Sequence, residues 1–246
     1  MYDESRVHRS WSWLFSPDIL RTLDAIEERV GPSYAPDPGS VLRFASTDLG
    51  AVRVVVLGQD PYAQAGLSTG RAFESAGVSS WAGRNLNSSL RNIVRNVYRT
   101  TTGHSQKFDS VRRQIESGKF PILPPNELFD AWERQGVLLL NAYQTCAVGS
   151  PGSHIDIWRP FAASLVRFIT AKRPDVLWFL WGKEPRALWN RAIVRFAVKR
   201  DSYRTYAYPH PSYAGRGGDD SFIDCDCFEV GARECGIDWT GTGETG

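Results

Sequence analysis

No stretch of eighteen apolar residues occurs in the 246-residue sequence, so a long membrane-spanning helix is excluded. The opening Met1-Tyr2-Asp3-Glu4 is acidic and polar where a secretory leader is basic and then apolar, and a soluble cytoplasmic protein with no membrane partner is expected. Cysteine is scarce. Three of the four cysteines, Cys225, Cys227 and Cys235, lie close together, and a chain this long with so few is no secreted disulfide framework. Their Cys-x-Cys-x7-Cys spacing lacks the two-residue separation usual for zinc or ferredoxin-type sites, so neither a metal nor another cofactor is expected. Cys225 and Cys227 read instead as small buried residues alternating across an apolar helix or loop. Internal repeats, long linkers and low-complexity tracts are absent too. One domain over residues 1–239 is expected, with Thr240 to Gly246 as a frayed tail and, for want of any dimerising patch, a monomer.

What is present favours a packed α/β core, since 42% of the residues are hydrophobic. Ser16-Pro17 is a helix start, Ser as N-cap and Pro at the first helical position, and Ile19, Leu23, Ile26 and Val30 make one apolar stripe ending at Gly31. Val52 to Leu57, Val137 to Leu140, Val176 to Trp181 and Tyr203 to Tyr208 read as strands. The first three are nearly continuous apolar runs, as in a sheet covered on both faces. Helical stretches alternate with them: Ser88 to Tyr98, Glu127 to Arg134, Trp158 to Lys172 and Glu184 to Val198. The fold expected is therefore α/β, a three-layer α/β/α arrangement around a short, mostly parallel four-stranded sheet.

Polar residues collect where those strands end, which is where open α/β sheets bind ligands. Gly58-Gln59-Asp60-Pro61-Tyr62 follows the first strand, Asn141 the second, and His210-Pro211-Ser212 the last. Singly, each is an ordinary turn or cap. Together, at three ends of one sheet, they point to one pocket. The net charge of +2 is uninformative, but its distribution is not. Arg91, Arg95 and Arg99 step by four and share one helix face, either a solvated surface or a stripe that tracks phosphates.

Several motifs, in order, resemble family 1 of the uracil-DNA glycosylases over roughly residues 40 to 239. Gly58-Gln59-Asp60-Pro61-Tyr62, followed by Gly66, Gly70 and Ala72-Phe73, is similar to that family's water-activating loop. Ala131 to Asn141 resembles its base-reading strand, and Thr145, Ser153-His154, Leu180-Trp181-Gly182, His210-Pro211-Ser212, Arg216-Gly217 and Ile237-Asp238-Trp239 continue the match. The resemblance implies a monofunctional DNA glycosylase that flips uracil out of DNA and hydrolyses its N-glycosidic bond. Asp60 would position or deprotonate the attacking water, and neutral His210 would donate to the base O2. Backbone N–H groups near Gln59 and Asp60 would assist, Phe73 would stack on the base, Tyr62 would exclude a C5 methyl, and Asn141 would read N3–H and O4. Ser89, Arg91, Arg95, Ser212, Tyr213 and Arg216 would contact DNA.

Four departures bear on the substrate. Ala63 stands where the family has His, Arg71 where it has an apolar residue, and Asn87-Ser88-Ser89 replaces a proline-rich loop. The loop from His210 to Arg216 is about two residues short and lacks the leucine that wedges into the emptied stack, leaving Tyr213 or Arg216 for that task. The segment from Thr100 to Asn126 is expanded and basic. A smaller Ala63 and an added donor at Arg71 leave a C5-modified pyrimidine as an alternative substrate to uracil. A module that reads uracil or damaged DNA without cutting it is the alternative of another class, although such a reader has no need for Asp60.

Overall fold

The computed structural model describes residues 1–83, 86–194, 203–214 and 221–243. At its centre four strands run parallel in the order β3-β2-β5-β6: β2 (Val54–Gly58), β3 (Val137–Asn141), β5 (Leu177–Trp181) and β6 (Thr205–Tyr208). Register is continuous across the middle of the sheet, Val54 opposite both Val137 and Leu177, and Gly58 opposite Asn141. Gly58 and Asn141 thus end their strands side by side. A separate antiparallel pair, β1 (Tyr34–Ala35) with β4 (Cys146–Ala147), was not apparent in the sequence because each strand has only two residues.

Alternation of side chains divides the core into two layers. Val55, Leu57, Leu138, Leu140, Trp178 and Leu180 face α1 (Pro17–Val30), α5 (Ile155–Lys172) and α6 (Lys183–Val194). Val54, Val56, Leu139, Phe179 and Trp181 face α2 (Ser88–Thr102), α3 (Phe108–Glu116), α4 (Pro125–Arg134) and α7 (Cys227–Cys235). Both faces are covered at β2, β3 and β5, which is why those three strands are nearly continuous apolar runs, whereas the edge strand β6 is only partly buried. The expected three-layer α/β/α fold is the one observed, with helix α1 starting at the Ser16 cap as read.

One element is added and two expectations are corrected. The basic expansion after α2 contains a helix, α3, which packs Val111 into the core and pairs Arg112 with Asp109 and Glu116. Thr240 is not frayed: it is buried, its carbonyl accepts from Leu123 N–H, and Asp238 receives its N–H and hydroxyl. Cys225 and Cys227 do not alternate but face each other, Sγ to Sγ at 3.5 Å, where α7 begins. Among the described residues no group of three or more His, Cys, Asp or Glu side chains is arranged to hold a metal. None of the described helices is long and apolar enough to cross a membrane. The predicted end of the helix from Glu184, residues 195–198, lies outside the described residues, as does Arg216.

Candidate active site

The ends of β2, β3 and β6 open into a cavity of about 450 Å3. Its lining includes Asp60, Tyr62, Phe73, Ser89, Asn141 and His210, so most of the residues expected from sequence to handle a base do meet in one place. A volume of this size suits a small-molecule-sized group and no more.

Strand β2 ends in a glycine for a steric reason. A Cβ on Gly58 would lie 3.0 Å from the Phe73 ring, so any larger residue there would push the ring by a few tenths of an ångström. Phe73 itself has φ of 66°, a left-handed conformation that a non-glycine residue holds only where its surroundings enforce it. Its ring packs 5.1 Å from Trp181 and 5.6 Å from His210. Tyr62 is locked to the same segment, its hydroxyl donating to the Phe73 carbonyl at 3.1 Å. Burial pushes the Tyr62 phenol up to about 12, with Asn87 and Ser89 beside it. Asn87 also caps α2 by accepting from Leu90 N–H. Ser89, in the first turn, is buried with its helix end at the cavity.

Asp60 lies in the turn after β2. Its Oδ1 accepts from Gln59 Nε2 at 3.1 Å and its Oδ2 accepts from the Gly152 N–H. Burial raises the Asp60 carboxyl above its ordinary 3.8, and these hydrogen bonds oppose the rise. Asn141 is 2% exposed at the end of β3. Its carbonyl accepts from the Gln144 side chain, while the next two residues bond back to Gly58 and Gln59. The two strand ends are in this way tied into one wall.

His210 follows β6. The Ser212 backbone N–H donates to His210 Nδ1 at 3.1 Å, and the Ser212 hydroxyl lies 2.8 Å from the same nitrogen. A peptide N–H can only donate, so Nδ1 must be an acceptor and the ring proton sits on Nε2. Burial lowers the His210 pKa from 6.5, which keeps the ring neutral. Ser212, expected at DNA phosphates, is found holding His210, a contact that sequence did not reveal.

Two expectations about arginines change. Arg91, Arg95 and Arg99 do share a face, but Arg99 donates to the Ile223 and Cys225 carbonyls and pairs with Glu229 at 3.0 Å. Arg95 donates to the Gln106 carbonyl and Asn92 Oδ1. Arg91 is exposed, its guanidinium 5.6 Å over the Phe108 ring. The stripe is therefore largely spent on fastening neighbouring segments. Arg71, expected as an added donor beside the pocket, does line the cavity, but its guanidinium is paired with Glu74, Asp130 and Glu133.

Sequence reasoning missed Asn92 and Asn96, buried polar residues four apart on α2. Asn92 Nδ2 donates to the Pro211 carbonyl at 2.9 Å, and Asn96 Nδ2 to that of Phe222 at 2.7 Å. They clamp both ends of the loop after His210. Their signal was available: two asparagines at helical spacing beside Ile93 and Val97, where an apolar face offers them no other use. Within that loop Tyr213 is held by its backbone to His210 and Phe222 while its side chain is 63% exposed.

Residues 44–229 match the family described as the Uracil DNA glycosylase superfamily. The chain is 30% identical over 231 residues to the uracil-DNA glycosylase of Klebsiella pneumoniae subsp. pneumoniae, an overlap of 91% of this chain and 89% of that one. It is also 30% identical over 235 residues to the uracil-DNA glycosylase of Escherichia coli K12, with the same coverage. Among solved structures, the wild-type UNG of Nitratifractor salsuginis superposes with a TM-score of 0.68 at 23% identity, covering 93% of this chain and 92% of that one. Mimivirus uracil-DNA glycosylase superposes at 0.65 and 20% identity, covering 94% and 86%. At these identities the structural likeness speaks for the fold.

Proposed function

The chain belongs to the uracil DNA glycosylase superfamily, and from that premise we propose that it hydrolyses the N-glycosidic bond of a uracil flipped out of DNA, leaving an abasic site. The observation that carries this reading is the meeting of Asp60, His210, Asn141, Phe73 and Tyr62 around one cavity.

Breaking this bond leaves a cation-like sugar and an anionic base, so negative charge is needed on one side and a donor on the other. Asp60 supplies the charge and orients the water whose oxygen bonds to the sugar carbon. His210 supplies Nε2–H to the base O2 as the C–N electron pair moves into the ring; its Ser212 contact supports that tautomer. Phe73 stacks on the base, which in other base–aromatic contacts is worth about 1–3 kcal/mol. Asn141 accepts from N3–H and donates to O4. The exposed Tyr213 on its anchored backbone is the candidate to fill the emptied stack, and Ser89, at the N-terminus of α2, with exposed Arg91 would meet phosphates. The assembly proposed is a monomer acting on DNA.

Uracil is favoured over a C5-modified pyrimidine because Tyr62, whose ring would meet a C5 substituent, is latched to Phe73, and the Arg71 guanidinium is engaged with acids; Ala63 and Arg71 themselves line the cavity. Matched oligonucleotides carrying uracil, thymine, cytosine, 5-hydroxymethylcytosine or its glucosylated form, with released bases identified by mass spectrometry, test this directly. Release of uracil alone is expected; retention of DNA without base release would leave a reader. Tyr62→Ala is expected to add thymine to the products, and a variant still silent on thymine would remove Tyr62 from base selection.

The pH dependence follows from two shifts of opposite sign. Asp60 must be ionised, and its raised pKa means that activity disappears as pH falls through a value above 3.8. His210 must be neutral, and its lowered pKa places that requirement below 6.5. The acid limb of kcat/KM should lie above 3.8, with no alkaline limb from either group. A limb at or below 3.8 would mean that ionisation of Asp60 does not govern it.

A further inference from the structure

Asp60 is held by an arrangement that its role as water-positioning carboxylate does not by itself demand. Gln59 Nε2 donates to Oδ1 and the Gly152 N–H to Oδ2, one neutral donor on each oxygen. Gly152 belongs to a turn fixed at both ends: Gly149 N–H donates to the Ala63 carbonyl and Ala147 N–H to Ser153 Oγ. Behind it, Trp158 Nε1 donates to Thr145 Oγ1, which in turn bonds His154 Nδ1. A φ of +77° at Gly152 aims its N–H at Asp60, and a Cβ there would sit 3.7 Å from Gln59 Nε2. Gln59, Asp60 and Gly152 are therefore mutual neighbours.

The groups around this carboxylate carry no compensating charge. Cys146 on β4 has its thiol pushed up to about 12, by burial first and then by Asp60. Tyr62 is likewise high, and His154 and His210 are both lowered by burial. Among the described residues no cation acts on Asp60. A lysine or arginine would hold the carboxylate more tightly but cancel the negative charge that a cation-like sugar needs. Neutral donors fix its orientation and leave that charge in place. A carboxylate offers about four lone-pair sites, so two donors leave others for a water.

We propose that the Gln59 side chain is a positioning residue, forming with the Gly152 N–H a neutral two-point clamp that orients Asp60 and keeps it ionised in a buried site. The clamp rests on the reading of Asp60 as the residue that acts on water. It is distinct from any contact of the Gln59 backbone with the base, which substitution of the side chain leaves intact.

The test uses Gln59→Leu, which removes the donor, and Gln59→Glu, which keeps the shape and adds a like charge. In Gln59→Leu the acid limb of uracil release should move up by about one pH unit, the size of one hydrogen bond to a charged group, so that release at the wild-type midpoint falls several-fold in kcat with KM unchanged. Gln59→Glu should move it further, since two carboxylates in contact resist joint ionisation. In parallel, the carbon-13 carboxyl shift of Asp60 is titrated in wild type and both variants, which needs no activity. Higher midpoints in both variants support the clamp; midpoints equal to wild type overturn it. Failure of the wild type to release uracil would instead overturn the proposed function, and the titration would still decide the clamp.

Discussion

Asp60→Asn is expected to lower uracil release by about 10²–10⁴-fold, the range for loss of a positioned general base, while DNA is retained as by the wild type. Asparagine has the shape of aspartate, so both contacts can persist: Oδ1 towards the Gly152 N–H, and Nδ2 towards Gln59 once that amide turns its oxygen inward. Folding should be unaffected. Lost are the negative charge beside the sugar and the site that receives or orients the proton of water. The measurement belongs at a pH above the acid limb, where wild-type Asp60 is ionised, with DNA retention followed on the same preparations. Equal base release would remove Asp60 from the chemistry. Loss of both release and retention would point to a disturbed pocket instead.

Arg71→Leu is expected to destabilise the fold by about 3–5 kcal/mol, the usual consequence of removing one partner from a buried ion pair. Arg71 is 9% exposed and pairs with Glu74 at 3.0 Å, Asp130 at 2.6 Å and Glu133, whose other oxygen accepts from Thr47. Burial works against the guanidinium charge, and Glu74 and Glu133 overcome it. Leucine would leave Glu74, whose side chain is only 10% exposed, with the Thr69 hydroxyl but no cation, next to two further acids. For a chain of this length the thermal midpoint should fall by roughly 6–20 °C. The double variant Arg71→Leu with Glu74→Leu should recover part of the loss, because replacing both partners by apolar groups is often close to neutral. A single variant as stable as the wild type would show that the cluster contributes nothing.

Elements with a regular pattern were readable without the structure. Ser16-Pro17 and the stripe from Ile19 to Val30 gave helix α1 at its observed start, and three apolar runs with the aromatic segment Tyr203 to Tyr208 gave all four strands of the main sheet within two residues. Short or atypical elements were not readable. Strands β1 and β4 have two residues each, too few for any period, and α3 hides its single core residue, Val111, among charges. The meeting of polar residues at the strand ends was readable because a sheet brings its ends together whatever the loops between them do.

What the linear order could not decide is how each of those groups is held. Asp60 is anchored by a peptide 92 residues later, Asn92 reaches a carbonyl 119 residues away, and Arg71 finds Glu133 across 62. Arg91, Arg95 and Arg99 show the same limit: their spacing set a common face, yet packing of the 223–229 segment on that face turned Arg99 inward. Local pattern, the backbone period and the polarity of neighbours, determined the layers of this protein and which residues meet at its cavity. Tautomer, ionisation and the direction of each side chain were decided only in the tertiary structure, because they depend on hydrogen-bond partners and burial contributed by segments distant in the chain.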